Sequence, residues 1–198
     1  MARPVTDHDA MRRRLVDHGR ELVASGGPAQ LVLAEVARRA GLSTPSLYHY
    51  VDNRRGLVLA VLAAEVEDVL GVWDSVPGAE APTGERVAAF LDAQARYLEA
   101  TPAPTVAFIL DAVLNRAGDP EVDRIVGPVL GRAEALFRAH AEAQAGDLRE
   151  PPDVLADLLR ASVAGLFLLR ALGTGGDATA VARALLARLG SARASLSK

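Results

Sequence analysis

Apolar residues recur along this chain at spacings of three and four, and no segment alternates with period two over a useful length. Side chains at that spacing share one face of a helix, so the chain reads as all-α. The first helix is expected from Thr6, whose hydroxyl can cap, with Asp9 three residues on as a capping-box partner. Met11, Leu15, His18 and Leu22 form its inner face, and Ser25, Gly26, Gly27 and Pro28 end it. Leu33 to Ala40 gives a second helix with Val36 and Ala37 inward, broken at Gly41. Thr44 to Val51 gives a third, with Pro45 tolerated in its first turn. Asp52 or Asn53 caps a fourth, along which Val58, Leu62, Val66, Val69 and Trp73 follow one stripe.

Prolines and glycines punctuate the remainder. A loop at Pro77, Gly78, Pro82 and Gly84 marks the start of a fifth helix, Thr83 to Ala100, and Pro102 and Pro104 separate it from a sixth running to Gly118. Pro120 opens a seventh, expected to break near Gly127 and Pro128. After a loop from Gly146, an eighth helix runs from Pro152 to about Leu172, apolar almost all round from Ala161 onward. Asp177 caps a ninth, carrying Val181, Leu185 and Leu189. The pattern divides into a small head, residues 1–53, and a larger helical body, residues 54–198.

The densest chemistry lies in LVLAEVARRAGLSTPSLYHYVDNRRGL, Leu31 to Leu57. Two short helices joined at a glycine form a helix-turn-helix if apolar residues hold them at a fixed angle; Val36, Ala40, Leu42 and Leu47 supply that packing. Thr44, Ser46 and His49 are then left on the outer face of the second helix, where hydroxyls and an imidazole match base-edge donors and acceptors. Pro45 can touch a thymine methyl, and Ser43, Tyr48, Arg54 and Arg55 stand where phosphate oxygens would lie. The plainer reading packs Tyr48 against the first helix and leaves both arginines as solvated charges; turn, spacing and local charge together favour DNA.

Charge supports that choice only when it is divided. The whole chain carries −3, yet residues 1–60 hold nine arginines against six acids, and the remainder thirteen basic residues against nineteen acidic. Phosphate attraction is short-ranged at physiological salt, so the basic head outweighs the acidic total. Half of the 198 residues are hydrophobic, enough for a sizeable core, with Ala, Leu and Val prominent and aromatics only 4%. There is no cysteine, so disulfides and thiolate metal sites are excluded, and no pair of histidines at helical spacing suggests a metal. No secretory leader and no apolar run long enough for a bilayer are apparent, which points to the cytoplasm and away from membranes. Nucleophile elbow, phosphate loop and dinucleotide fingerprint are absent, so an enzyme using Asp111, His140 or Glu99 is the weaker alternative and no cofactor is expected.

From Ala34 to Leu62 the chain resembles the tetracycline-repressor (TetR) family of transcriptional regulators. The resemblance implies a three-helix DNA-binding head on a helical body that dimerises and leaves its operator when a small molecule binds. By position it implies base contacts for Thr44, Pro45, Ser46 and His49, and backbone contacts for Tyr48 and Arg54. Two departures stand out. Leu33 and Ala34 occupy the start of the second helix, where the family often has a hydroxyl followed by a polar residue, and Val51 replaces a common phenylalanine.

In the body, three faces pair aromatics with polar groups: Phe90, Gln94 and Tyr97; Phe108, Asp111 and Asn115; Phe137, His140 and Gln144. Trp73, Tyr97, Phe108, Asp111 and Asn115 are taken as pocket residues for a largely apolar effector of unknown identity. A helix apolar all round must be covered on both sides. Val154, Leu158, Ser162, Leu166 and Leu169, with Val181, Leu185 and Leu189, are therefore expected to form a homodimer surface. Such a dimer would set two recognition helices on a near-palindromic double-stranded DNA operator. The alternative is an architectural or activating DNA-binding protein without a small-molecule effector.

Overall fold

Helix boundaries in this protein fall where the backbone has a local reason to turn. The computed structural model describes residues 7–147 and 151–174, together with residues 177, 180, 181 and 184. Its helices are α1 (Asp7–Gly26), α2 (Leu33–Ala40), α3 (Thr44–Leu47), α4 (Arg54–Gly71), α5 (Thr83–Ala100), α6 (Ala103–Asn115), α7 (Pro120–Ala143) and α8 (Pro152–Ala171), with no strand among the described residues. The all-α expectation holds.

Side chains cap three of these helices. Ser43 Oγ accepts from the Ser46 amide at the start of α3, Asn53 Oδ1 from Gly56 in α4, and Asp119 Oδ1 from Glu121 and Val122 in α7. Proline opens α7 and α8 where a missing N–H costs nothing. Gly41 ends α2 with φ 73°, a left-handed conformation that glycine adopts without strain. As the departures at Leu33 and Ala34 foreshadow, α2 has no side-chain cap; Val32 precedes it in extended conformation.

Three expectations need correction. The third helix stops at Leu47 rather than Val51: beyond it Tyr48, His49 and Tyr50 donate to carbonyls three residues back, tightening the chain into turns. The sixth ends at Asn115, continued by a single 3-10 turn over Arg116–Gly118. The seventh does not break: α7 runs through Pro128. Pro128 still forgoes one helical hydrogen bond, but Gly127 before it has no Cβ for the ring to strike, which removes part of the crowding. Packing holds both halves in line, Val126 in one core cluster and Leu136 and Phe137 in another.

Of the ninth helix, Asp177 accepts from the Ala180 amide at 2.8 Å, as a cap would, and Val181 is exposed; Leu185 and Leu189 lie outside the described residues, as does Thr6.

The core follows α4. Leu15, Leu22, Val36, Leu47, Val51, Leu57 and Val61 bury together at the head end, and the same cluster continues into Val66, Phe108, Ala112 and Val126 of the body. The head's core is thus shared with the body rather than closed on itself. A second cluster joins Trp73, Phe90, Leu91, Phe137 and Leu159, and Arg170 of α8 donates to the Thr101 carbonyl between α5 and α6 at 2.7 and 3.1 Å.

Helices α1 and α4 meet at Gly19, where an added Cβ would stand 2.6 Å from a Val61 methyl and 3.2 Å from Leu31. Gly19→Ala gains helix propensity, up to about 1 kcal/mol. The clash with a stiff β-branched side chain opposes it, and net destabilisation of roughly 1–2 kcal/mol is expected. Urea unfolding measures it; a variant as stable as the parent would refute this close approach.

Candidate nucleic-acid interface and the cavity behind it

The outer edge of the head is built from a helix too short to hold itself. With one α-helical turn, α3 depends on its neighbours, and they are visible. Leu47 is fully buried beneath it. Ser43 and Ser46 share a hydroxyl–hydroxyl bond of 2.7 Å at its start. From α1, the His8 ring, acting as an Nε2–H donor, meets the His49 carbonyl at 3.0 Å and lies 4.9 Å from the Tyr50 ring. Held this way, Pro45, Tyr48 and His49 are exposed, Thr44 and Ser46 half-buried, and Ser43 exposed at the cap. Tyr48 keeps 50% of its surface open, so it does not pack away against α1.

The arginines divide differently from the sequence expectation. Arg54 donates to the carbonyls of Leu31 (3.1 Å) and Pro28 (3.0 Å), tying the α4 start to the loop before α2. Arg55 bonds both oxygens of Asp119 at 2.8 Å and Glu121 at 3.0 Å, joining α4 to the start of α7. Both make internal ties in this structure, and Arg55 keeps 54% of its side chain exposed. Arg38 and Arg39, not selected from the sequence, lie on α2 and share Glu35, whose carboxyl they hold down at about 2. Arg38 stays largely open with 71% of its side chain exposed, and Arg39 also reaches Glu21. Arg12, Arg13 and Arg14 are exposed on α1. Such exposed cations are the usual phosphate partners. A sequence signal existed: adjacent Arg38 and Arg39 precede the glycine turn.

Behind the head, α4 through α8 enclose a cavity of about 310 Å³. Its wall is mostly Val66, Val69, Phe90, Ile109, Leu110, Val113, Val126, Val129, Leu130, Phe137, Val163 and Phe167, with Gln94, Arg116, Glu134 and Arg160 as polar members. None of the five expected pocket residues lines it. Trp73 sits one layer behind, 4.8 Å from the Phe90 ring and under the Arg132 guanidinium. Phe108 belongs to the core shared with the head. Asp111 and Asn115 face outward and bond each other at 2.9 Å, one helical turn apart. Tyr97 lies beside a separate polar groove with Arg20, Glu65 and Asp68, and burial pushes its hydroxyl up to about 12. Phe90, Gln94 and Phe137, noticed as amphipathic faces, are the ones that reach the cavity.

On α8, Val154, Leu158 and Leu169 are exposed and Ser162 half-buried, its hydroxyl bonded to the Leu158 carbonyl at 2.7 Å. Leu166 departs from the expected surface: it is buried against Leu98 and Val106. Leu168 and Leu172 extend the exposed stripe instead.

Tyr48→Ala is expected to weaken binding to all duplexes alike. Arg38→Ala should lower the slope of log affinity against log salt by about one. Arg54→Ala should instead lower the melting temperature while leaving that slope alone. Affinities across a salt series separate the outcomes; an unchanged slope in Arg38→Ala would remove α2 from the interface.

The head–body tie has its own signature. The Arg55 guanidinium, bonded to Asp119, holds that carboxyl below its usual range. A carboxyl lowered in the folded state stabilises above its unfolded value, and that contribution fades as pH falls through the folded value. Asp119→Asn keeps a capping side chain but loses the charge. It should be less stable than the parent at neutral pH, with the gap closing below about pH 4. A gap independent of pH would show that the ion pair contributes nothing.

Residues 15–61 match the family model of bacterial regulatory proteins of the tetR family. No curated protein matches the chain. Among solved structures, a TetR transcriptional regulator from Chloroflexus aurantiacus is 20% identical with TM-score 0.70, covering 91% of this chain and 94% of its own. The ketosteroid regulator KstR2 of Mycobacterium tuberculosis is 16% identical with TM-score 0.66, covering 90% and 92%. Bacillus subtilis FadR, solved with stearoyl-CoA, is 14% identical with TM-score 0.63, covering 88% and 95%. These likenesses show the fold alone, over about nine-tenths of the chain; the family match rests on the head.

Proposed function

We propose, from a head of the tetR family on a body of the matching fold, that this protein is a sequence-specific DNA-binding transcriptional regulator. It works in the cytoplasm as a homodimer, by binding rather than by turnover, and leaves a near-palindromic operator when a small, largely apolar effector fills the cavity. The observation that carries the reading is the recognition turn, with Thr44, Pro45, Tyr48 and His49 turned outward on an arginine-bearing head. Hydroxyl, imidazole and ring surfaces there suit base edges and thymine methyls, and Arg38 and Arg39 suit the flanking phosphates.

The effector half of the reading rests on the cavity and on α4. Val66 and Val69 of α4 form part of its wall, while Leu57 and Val61 of the same helix close the head. A ligand that favours one position of α4 shifts the heads, and a coupling of about 1–3 kcal/mol changes operator affinity by roughly 5- to 150-fold. The stearoyl chain of the CoA ester in the FadR structure and the ketosteroid in the name of KstR2 lend support, since each is an apolar body, although the CoA half of the first is highly charged. The exposed stripe Val154, Leu158, Leu168, Leu169 and Leu172 is the surface a second copy would cover.

Selection of bound sequences from random duplexes tests the reading. A two-fold symmetric site is expected, with half-sites about 34 Å apart or a multiple of that. A pool that never departs from random would overturn it. Leu158→Glu combined with Leu169→Glu should sediment as a monomer and lose roughly a hundredfold or more in operator affinity.

A further inference from the structure

The cavity wall contains one polar group that the protein leaves unanswered. Gln94 of α5 is 2% exposed, lines the cavity, and its Oε1 has no hydrogen-bond partner in the protein. A buried acceptor without a donor is costly, and a ligand that brings the donor recovers the loss. The three charged lining residues make no such demand. Arg116 pairs with Asp123 at 2.6 Å, and Arg160 with Asp157 and Glu134. Glu134 also pairs with Arg138 at 2.8 Å. Among the described residues the cavity therefore offers a large apolar wall, one buried acceptor without a partner, and charges already held in ion pairs.

We infer that Gln94 sets the chemical class of the effector: a neutral, apolar molecule carrying a hydroxyl, whose O–H donates to the Gln94 carboxamide oxygen. This rests on the effector reading above and sharpens it. A carboxylate would bring a second acceptor to Oε1, and among Phe90, Phe137 and Phe167 its charge would be met only by drawing Arg116 or Arg160 out of its ion pairs. A hydrocarbon of the same shape would gain the apolar contacts and leave Oε1 unmet. Since the carboxamide also carries an NH₂, a hydroxyl can answer either of its ends, which a ketone or ether cannot.

Matched probes test this on the full chain by calorimetry and thermal shift: thymol against p-cymene and p-isopropylbenzoate, and decanol against decane and decanoate. Each alcohol is expected to bind about tenfold more tightly than its hydrocarbon, with the carboxylate weakest. In Gln94→Met, which keeps side-chain volume, the alcohol–hydrocarbon difference should vanish while hydrocarbon binding persists. Hydrocarbon bound as tightly as alcohol in the parent, or a carboxylate bound best, overturns the inference and leaves the effector reading standing. Failure of every probe to bind or to move the melting temperature overturns both. A Gln94→Met protein that keeps the full alcohol preference also overturns the inference.

Discussion

One helix belongs to two cores, and the architecture follows from that constraint. The eighteen residues of α4 span about 27 Å. Leu57 and Val61 at one end complete the head, and Val66 and Val69 further along face the cavity. A helix packed on both sides cannot shift at one end without moving the other. Gly19 sharpens the point, because the absence of a side chain lets α1 lie directly on Val61. The head is thus seated on α4 as on a rigid arm, and two polar ties from the same helix fix its setting. Arg54 holds the loop before α2, and Arg55 holds the start of α7.

Those ties change how the head's charge should be understood. Of the nine arginines among residues 1–60, Arg20, Arg54 and Arg55 are spent on internal partners. Among the described residues the outward field comes from Arg38, Arg39 and the Arg12–Arg14 run; Arg3 lies outside them. Glu35 tempers it in the free protein, sharing its oxygens between Arg38 and Arg39. An arriving phosphate competes with an exposed carboxylate for those guanidinium groups, a contest easily tipped because exposed ion pairs contribute little. On the proposed reading, orientation on DNA would rest on Arg38 and its neighbours, while Arg54 and Arg55 preserve the shape of the head.

Legibility in the sequence tracked how local each determinant is. The bounds of α2 and α5 could be read directly because Gly41, Pro82 and Pro102 act through backbone geometry alone. The outward face of the recognition turn was legible for a similar reason: Leu47 is the one apolar residue between Thr44 and Tyr48, so the rest must face away. The internal partners of Arg54 and Arg55, Pro28, Leu31, Asp119 and Glu121, were not legible because they depend on tertiary approach. The lining of the cavity was out of reach on the same ground. Spacing places Phe108, Asp111 and Asn115 on one side of α6, but only the neighbours decide which side meets the cavity; Ile109, Leu110 and Val113 do. Pro128 signals a break because its ring lacks an N–H and crowds the carbonyl one turn back, but packing of both halves of α7 carries the helix past it.

The cavity bears on how an effector could act at all. Five helices leave about 310 Å³ between them that their own side chains do not fill. The apolar wall around that space is surface a bound ligand can cover. A ligand that supplies those contacts gains interaction energy both to bind and to move a helix. Only the part that differs between two positions of α4 can shift the heads. The wall provides such a part, because Val66 and Val69 belong to α4 while Gln94 is anchored on α5 and Phe137 on α7. A molecule held at Gln94 and pressed against the two valines would sense the distance between α5 and α4. That distance is the quantity the head, seated on α4, would transmit to DNA.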